Sequence, residues 1–196
     1  MEPVVGRATG VVMSEDGAPL RVLGVDPGSH HTGWGVLERA GRRWSAREWG
    51  RVSPASDLDL GARLCRLAEG LEQVIGRWTP DVVALESSFH GRSSRSLIVL
   101  AQARGALLLT AARAGIPIVE YAPAEVKATV TGSGRADKVQ VARMVSLQLG
   151  LTERPVADAA DALAVALCFT VRFRGNLNDP SGASGSTRKI QKVLKL

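Results

Sequence analysis

The chain is short of cysteine, of lysine and of long apolar runs, and each shortage narrows what it can be. Two Cys in 196 residues cannot build a disulfide framework, so a reducing, cytoplasmic setting is expected. Cys65 and Cys168 fall in apolar helical patterns and are expected as packed thiols. No uninterrupted apolar run reaches the roughly 18–20 residues of a spanning helix, so no membrane partner is expected. The start, Met1-Glu2-Pro3, lacks the basic-then-apolar layout of a secretory signal. No internal repeat is found, and His30, His31 and His90 lack metal-ligand spacing; they are expected as surface residues.

What is present is ordinary in bulk and unusual in charge. Hydrophobic residues make up 45% and charged residues 22%, which excludes a wholly disordered chain, and the length suits one domain with appendages. Against 19 acidic residues stand 25 basic ones, a net charge of +6, which calls for a polyanionic partner: nucleic acid or an anionic surface. Residues 1–20 hold one basic and three acidic side chains and read as a mobile extension. Residues 174–196 begin in Gly, Asn, Ser, Pro and Asp and end in a basic run, a flexible tail with five basic residues and one acidic. The body, 21–173, therefore keeps a basic excess of its own.

That body alternates strands and helices. Arg21–Asp26 is a short apolar strand closed by Pro27-Gly28. Strands at 32–39 and 42–52 follow, with Gly41 at the turn of a hairpin. Leu60, Leu64, Leu67, Leu71, Val74, Ile75 and Trp78 recur at three and four, one face of a helix that Pro80 ends. Asp81–Glu86 reads as a strand buried on both faces, 93–114 as a long helix ended by Gly115, and Ile116–Tyr121 as another buried strand. Helices at 123–130, 136–149 and 156–173 complete an α/β fold with a mixed sheet.

Two buried strands end in a carboxylate, Asp26 and Glu86, and in open α/β sheets the carboxyl ends of strands face the ligand crevice. If the strands are parallel neighbours, the two acids lie together, at a repulsive cost that a cation would offset. Each could instead cap the turn that follows it. Asp158 and Asp161 lie at i and i+3 on an alanine-rich helix and share a face; Asp158 is explicable as a cap alone, whereas an interior Asp161 is harder to dismiss. Carboxylates without nearby Cys or His ligands suit a hard cation such as Mg²⁺ or Mn²⁺, and two such ions would serve phosphodiester hydrolysis.

Val22-Leu23-Gly24-Val25-Asp26-Pro27-Gly28-Ser29 with Thr32-Gly33-Trp34-Gly35-Val36 resembles the first strand and hairpin of the RuvC family of Holliday-junction resolvases. Ala84–Phe89, Ala101–Gly105 and Asp158–Ala164 match that family's later blocks in order. The resemblance covers roughly 21–173. It implies an RNase H-like fold with a five-stranded mixed sheet flanked by helices, and a homodimer making paired, Mg²⁺-dependent nicks in four-way DNA junctions. It also implies a branch-migration complex of the RuvA and RuvB type as partner. By motif position Asp26, Glu86, Asp158 and Asp161 are its metal-binding catalytic acids, with Asp26 bridging two ions. Some members have His where Asp158 stands.

The basic residues fit this picture. Lys127 and Lys138 are the only lysines of the body among five in the chain; they are either solvated helix residues or functional ammonium groups, and the resemblance implies phosphate contact for both and a catalytic role for Lys138. Thr131–Arg135 between them reads as a flexible, donor-rich loop for a phosphate backbone, with Arg135 a DNA contact and Arg92, Arg95 and His90 extending the track. Phe89, in a polar loop, is either a core ring or a wedge between unstacked bases; the resemblance favours the wedge. Trp34 and Trp44 are expected in sheet packing. Gly105, in mid-helix, suggests a close helix approach, and its helix is the dimer surface that the resemblance implies. Three other readings stand beside this one. They are an actin-like kinase or ATPase, for which the body lacks room for a second lobe, a related nuclease of RNA–DNA hybrids, and a junction-binding scaffold without catalysis.

Overall fold

The computed structural model describes residues 19–41, 43–87 and 93–172. Expectations that fall on 1–18, on Phe89, His90 and Arg92, and on 173–196 lie outside the described residues. Five strands, β1 (Arg21–Asp26), β2 (Thr32–Ala40), β3 (Arg43–Val52), β4 (Val82–Glu86) and β5 (Ile118–Tyr121), form one sheet in the order β3-β2-β1-β4-β5. β1, β2 and β3 pair antiparallel, whereas β4 runs parallel to both β1 and β5. The sheet is mixed and five-stranded, as expected. Leu20, placed in the extension on sequence grounds, is buried, and its carbonyl accepts from Arg39 N, so the body begins before Arg21.

Side chains alternate across the sheet and divide the core in two. Val22, Val82, Ala84, Val119 and Tyr121 face one layer, built from α3 (Pro123–Thr131), α4 (Lys138–Leu149) and α5 (Ala157–Arg172). Leu23, Val25, Val83 and Leu85 face the other, built from α1 (Leu60–Trp78) and α2 (Ser94–Arg113). Helix ends follow their capping chemistry. Asp59 accepts from Ala62 N at 2.8 Å to start α1, and Thr79 in the left-handed region, followed by Pro80, ends it. α4 starts at Lys138 rather than at 136, because Asp137 and Gln140 close a reciprocal capping box there.

α5 is the keystone. Ten of its sixteen residues are buried, and it lies across β1 and β2 so closely that the strands need bare backbone beneath it. A Cβ on Gly24 would run into the carbonyl of Ala162, and one on Gly33 into that of Asp158. The alanines of α5 and these two glycines are thus one feature, a helix pressed onto a sheet without side chains between them.

Several expectations are corrected. Cys168 is buried but Cys65 is exposed, since it sits one position off the Leu64–Leu67–Leu71 stripe. A Cβ on Gly105 would meet nothing within 4 Å among the described residues, so the close helix approach expected there is not made by any of them. Thr131–Arg135 is a hydrogen-bonded connection rather than a row of available donors: Gly132 N bonds to Ala128 O, Ser133 N to Thr131 Oγ1 and Arg135 N to Ser133 Oγ. α2, with 20 residues, is long and apolar enough by length and composition to cross a membrane. Its arginines break the uninterrupted run, so the sequence reading passed over it. Arg104 of that helix is buried and ion-paired with Glu120 at 2.6 Å, and Ala103, Leu107 and Ala111 pack in the core with α1 residues, which makes α2 a helix of this domain. Trp34 and Trp44 pack against the two core layers, as expected.

Candidate active site

The parallel register of β1 and β4 aligns Val25 with Leu85, so the next residues, Asp26 and Glu86, stand side by side where the strands end. Alternation fixes their direction as well. Asp26 continues the face of Val22 and Gly24, Glu86 that of Val82 and Ala84, and both faces look toward α5. There Asp161 joins them. Asp26, Glu86, Asp161, Lys127 and Lys138 line one cavity of about 350 Å³, with Val126 and Val141 among its apolar walls. α3 and α4 bring the two lysines, and a helix buried along most of its length brings Asp161.

The electrostatics are those of crowded negative charge. The Asp26 carboxyl is pushed up to about 8, first by burial, then by the charges of Glu86 and Asp161, with Lys138 opposing and Asp158 adding to the rise. Lys138 Nζ donates to Asp161 Oδ2 at 2.8 Å, and this bond, more than the surrounding acids, raises the ammonium pKa against partial burial. Asp158, one turn before Asp161, does not line the cavity; its Oδ2 lies 3.4 Å from Arg51 Nη1.

The acids converge without closing. Among the described residues, no three acidic, histidine or cysteine side chains form a ready coordination group. Two cationic side chains, Lys138 and Arg51, take oxygens of Asp161 and Asp158. The donor set itself suits a hard divalent cation, being all oxygen, and an acid held protonated near neutrality marks a place where added positive charge would be welcome.

The remaining candidates are dispersed. Arg95 is exposed in the first turn of α2 and Arg135 is exposed ahead of α4; neither lines the acidic cavity. His30 and His31 are exposed, facing Arg63 at 3.3 Å and Ser53 at 3.0 Å respectively. Arg51 was missed by sequence reasoning. Hairpin register places it opposite Gly33, and so on the α5 face, but no sequence pattern shows that the first turn of α5 lies over that point.

Known proteins resemble this chain in sequence and in fold. The family model for crossover junction endodeoxyribonuclease RuvC matches residues 22–169. The RuvC protein of Chlorobaculum parvum is 45% identical over 172 residues, covering 87% of this chain and 91% of its own. That of Anaeromyxobacter sp. (strain K) is 48% identical over 151 residues, covering 77% and 80%. The structure of Thermus thermophilus RuvC in complex with a Holliday junction superposes with a TM-score of 0.72 at 35% identity, over 77% of this chain and 93% of that one. At 11% identity and a TM-score of 0.54, the yeast mitochondrial Holliday junction resolvase shares the fold.

Proposed function

The chain belongs to the RuvC family of crossover junction endodeoxyribonucleases, and from that premise we propose how its own residues carry out the reaction. The protein is a Holliday-junction resolvase, a nuclease that hydrolyses phosphodiester bonds in four-way DNA junctions. One observation supports the site assignment above the rest: two strand-end acids, a helix acid and two lysines from five separate elements of the chain line one cavity.

Asp26, Glu86, Asp161 and Asp158 are the residues that would hold divalent cations, Mg²⁺ or Mn²⁺, two to a site. Such ions supply a water activated at neutral pH and stabilisation of the departing oxygen. Asp26 would be the central one of them, because it is largely buried and feels the charges of the other three. Lys138 holds Asp161 in place and offers its ammonium to the cleaved phosphate, and Lys127 on the cavity wall adds a second cation for the DNA backbone. The apolar wall of Val126 and Val141 limits water on that side, which strengthens every charge interaction within.

Two symmetric nicks need two sites, and α2 supplies the surface for a homodimer. Ile98 and Leu109 on it are each 59% exposed, and a Cβ on Gly105 between them would meet nothing within 4 Å among the described residues. An isologous pairing through this helix buries apolar side chains that are otherwise in water and leaves a bare glycine for close approach. Phe89, His90 and Arg92 follow the Glu86 strand and complete the DNA contacts, with Arg95 and Arg135 beyond. Work in the cytoplasm beside branch-migration proteins of the RuvA and RuvB type belongs to the same reading.

The test is a labelled synthetic four-way junction incubated with the pure protein and each cation in turn, with nicks mapped on all strands. Paired symmetric nicks in Mg²⁺ or Mn²⁺ are expected. Cutting of RNA–DNA hybrids in preference to junctions, or binding without product in every cation, would replace this reading with one of its rivals.

A further inference from the structure

Each acid of α5 is held by a cation, and the two holds differ. Lys138 reaches Asp161 at 2.8 Å across the cavity, whereas Arg51 reaches Asp158 at 3.4 Å from the sheet. The second contact is a single long one, outside the roughly 2.7–2.9 Å of a strong charge-assisted bond. Both partners stay in touch with solvent, Arg51 at 41% and Asp158 at 32% side-chain exposure, and exposed pairs of this kind add little to stability. Arg51 stands opposite Gly33 on the α5 face of the sheet, where the strand offers no side chain to fix the guanidinium. It is thus a loosely held cation on an acid one helical turn from the carboxylates of the cavity.

We propose that Arg51 is an exchangeable counter-ion. It neutralises Asp158 while the site lacks divalent cations, gives that carboxylate up as they bind, and turns its freed guanidinium to a phosphate of the junction. The inference rests on reading Asp158 as one of the cation-holding acids. A carboxylate cannot serve a guanidinium and a divalent cation at full strength together, so Arg51 competes with the ion for Asp158. Once released it has forked donors suited to a phosphate. One side chain thereby makes cation uptake and DNA grip support each other. Arg51 is a positioning residue in the free protein and a DNA-binding residue in the complex.

The full chain and its Arg51→Gln and Arg51→Lys variants separate these roles, with thermal melting as the check on folding. In DNA-free protein, Mn²⁺ affinity read from the free-ion electron paramagnetic resonance signal should rise several-fold in Arg51→Gln. Junction affinity is then measured against salt. In Ca²⁺ the slope of log affinity on log salt should be shallower for Arg51→Gln than for the parent by about one phosphate contact. In EDTA, where Arg51 is engaged with Asp158, the two slopes should coincide. Arg51→Lys, which keeps the charge, should retain the parent's slope in Ca²⁺. An unchanged Mn²⁺ affinity in Arg51→Gln overturns the proposal, as does a slope difference that is absent in Ca²⁺ or equally present in EDTA. Asp26→Asn tells the two levels apart. If it binds Mn²⁺ as the parent does, the cation site is misassigned and both readings fall; if it loses Mn²⁺ while Arg51→Gln matches the parent, only the role of Arg51 falls.

Discussion

Lys138 Nζ donates to Asp161 Oδ2 at 2.8 Å, joining the first residue of α4 to the second turn of α5. The bond sets an ammonium among carboxylates that would otherwise repel one another, and Lys138 is the one group that lowers the Asp26 pKa while burial and three acids raise it. Lys138 thus offsets part of the negative charge that the site gathers.

Removing the strand-end acids should separate cutting from binding. Asp26→Asn and Glu86→Gln are expected to lower junction cleavage by more than about 100-fold, beyond the loss of an outer-shell partner, with junction affinity within a few-fold of the parent. Cleavage assays and gel shifts on one substrate check this, and a variant that still cuts would take its residue out of the mechanism.

The Asp26 carboxyl makes the ion-free fold sensitive to pH in a defined direction. Its pKa is raised from 3.8 to about 8, so between those values the unfolded chain gives up a proton that the folded one keeps. Its contribution to stability is full below the lower value and lost as pH rises through the upper one. In EDTA, the melting temperature of Asp26→Asn should gain steadily on the parent from about pH 4 to pH 8, and Mg²⁺ should narrow the gap by stabilising the parent. A gap independent of pH would contradict this account.

Gly24 makes a prediction about packing alone. In Gly24→Ala the new methyl meets the Ala162 carbonyl, and α5 must lift from the sheet at a cost of about 1–3 kcal/mol, the usual penalty for overpacking. Urea unfolding measures it; a variant as stable as the parent would show that α5 can move freely on β1.

On α2, Ile98→Asp with Leu109→Asp should leave the fold intact, since both side chains are already largely in water, and should convert a dimer to a monomer in light scattering. Paired nicking should give way to single, unsymmetric nicks. A dimer that survives both changes would place the interface elsewhere.

Phe89→Ala should slow cleavage of intact junctions by about tenfold or more and spare pre-nicked ones, because a stacking ring contributes about 1–3 kcal/mol where bases must be opened. Equal slowing on both substrates would assign the ring to packing.

The acids that meet in the cavity were legible because strands announce themselves: Val22–Val25 and Val82–Leu85 are apolar runs that each stop at a carboxylate, and parallel pairing does the rest. Asp161 was legible as an acid out of place in a helix of alanines. What the sequence concealed depends on how helices lie over the sheet. Arg51 looks like any edge-strand arginine until the start of α5 is placed above it. Cys65 was misread because a heptad-like stripe shows which residues recur and not where its margin falls. Thr131–Arg135 has loop composition, yet the amides of Ser133 and Arg135 are taken by its own hydroxyl oxygens, Thr131 Oγ1 and Ser133 Oγ.

The burial of α5 has a consequence for durability. Asp161 is carried by the helix whose neighbours make up much of one core layer, so its position relative to Asp26 cannot drift while the interior stays intact. Heating should not yield a folded but misaligned enzyme; catalytic competence and cooperative structure should vanish together, in a single transition.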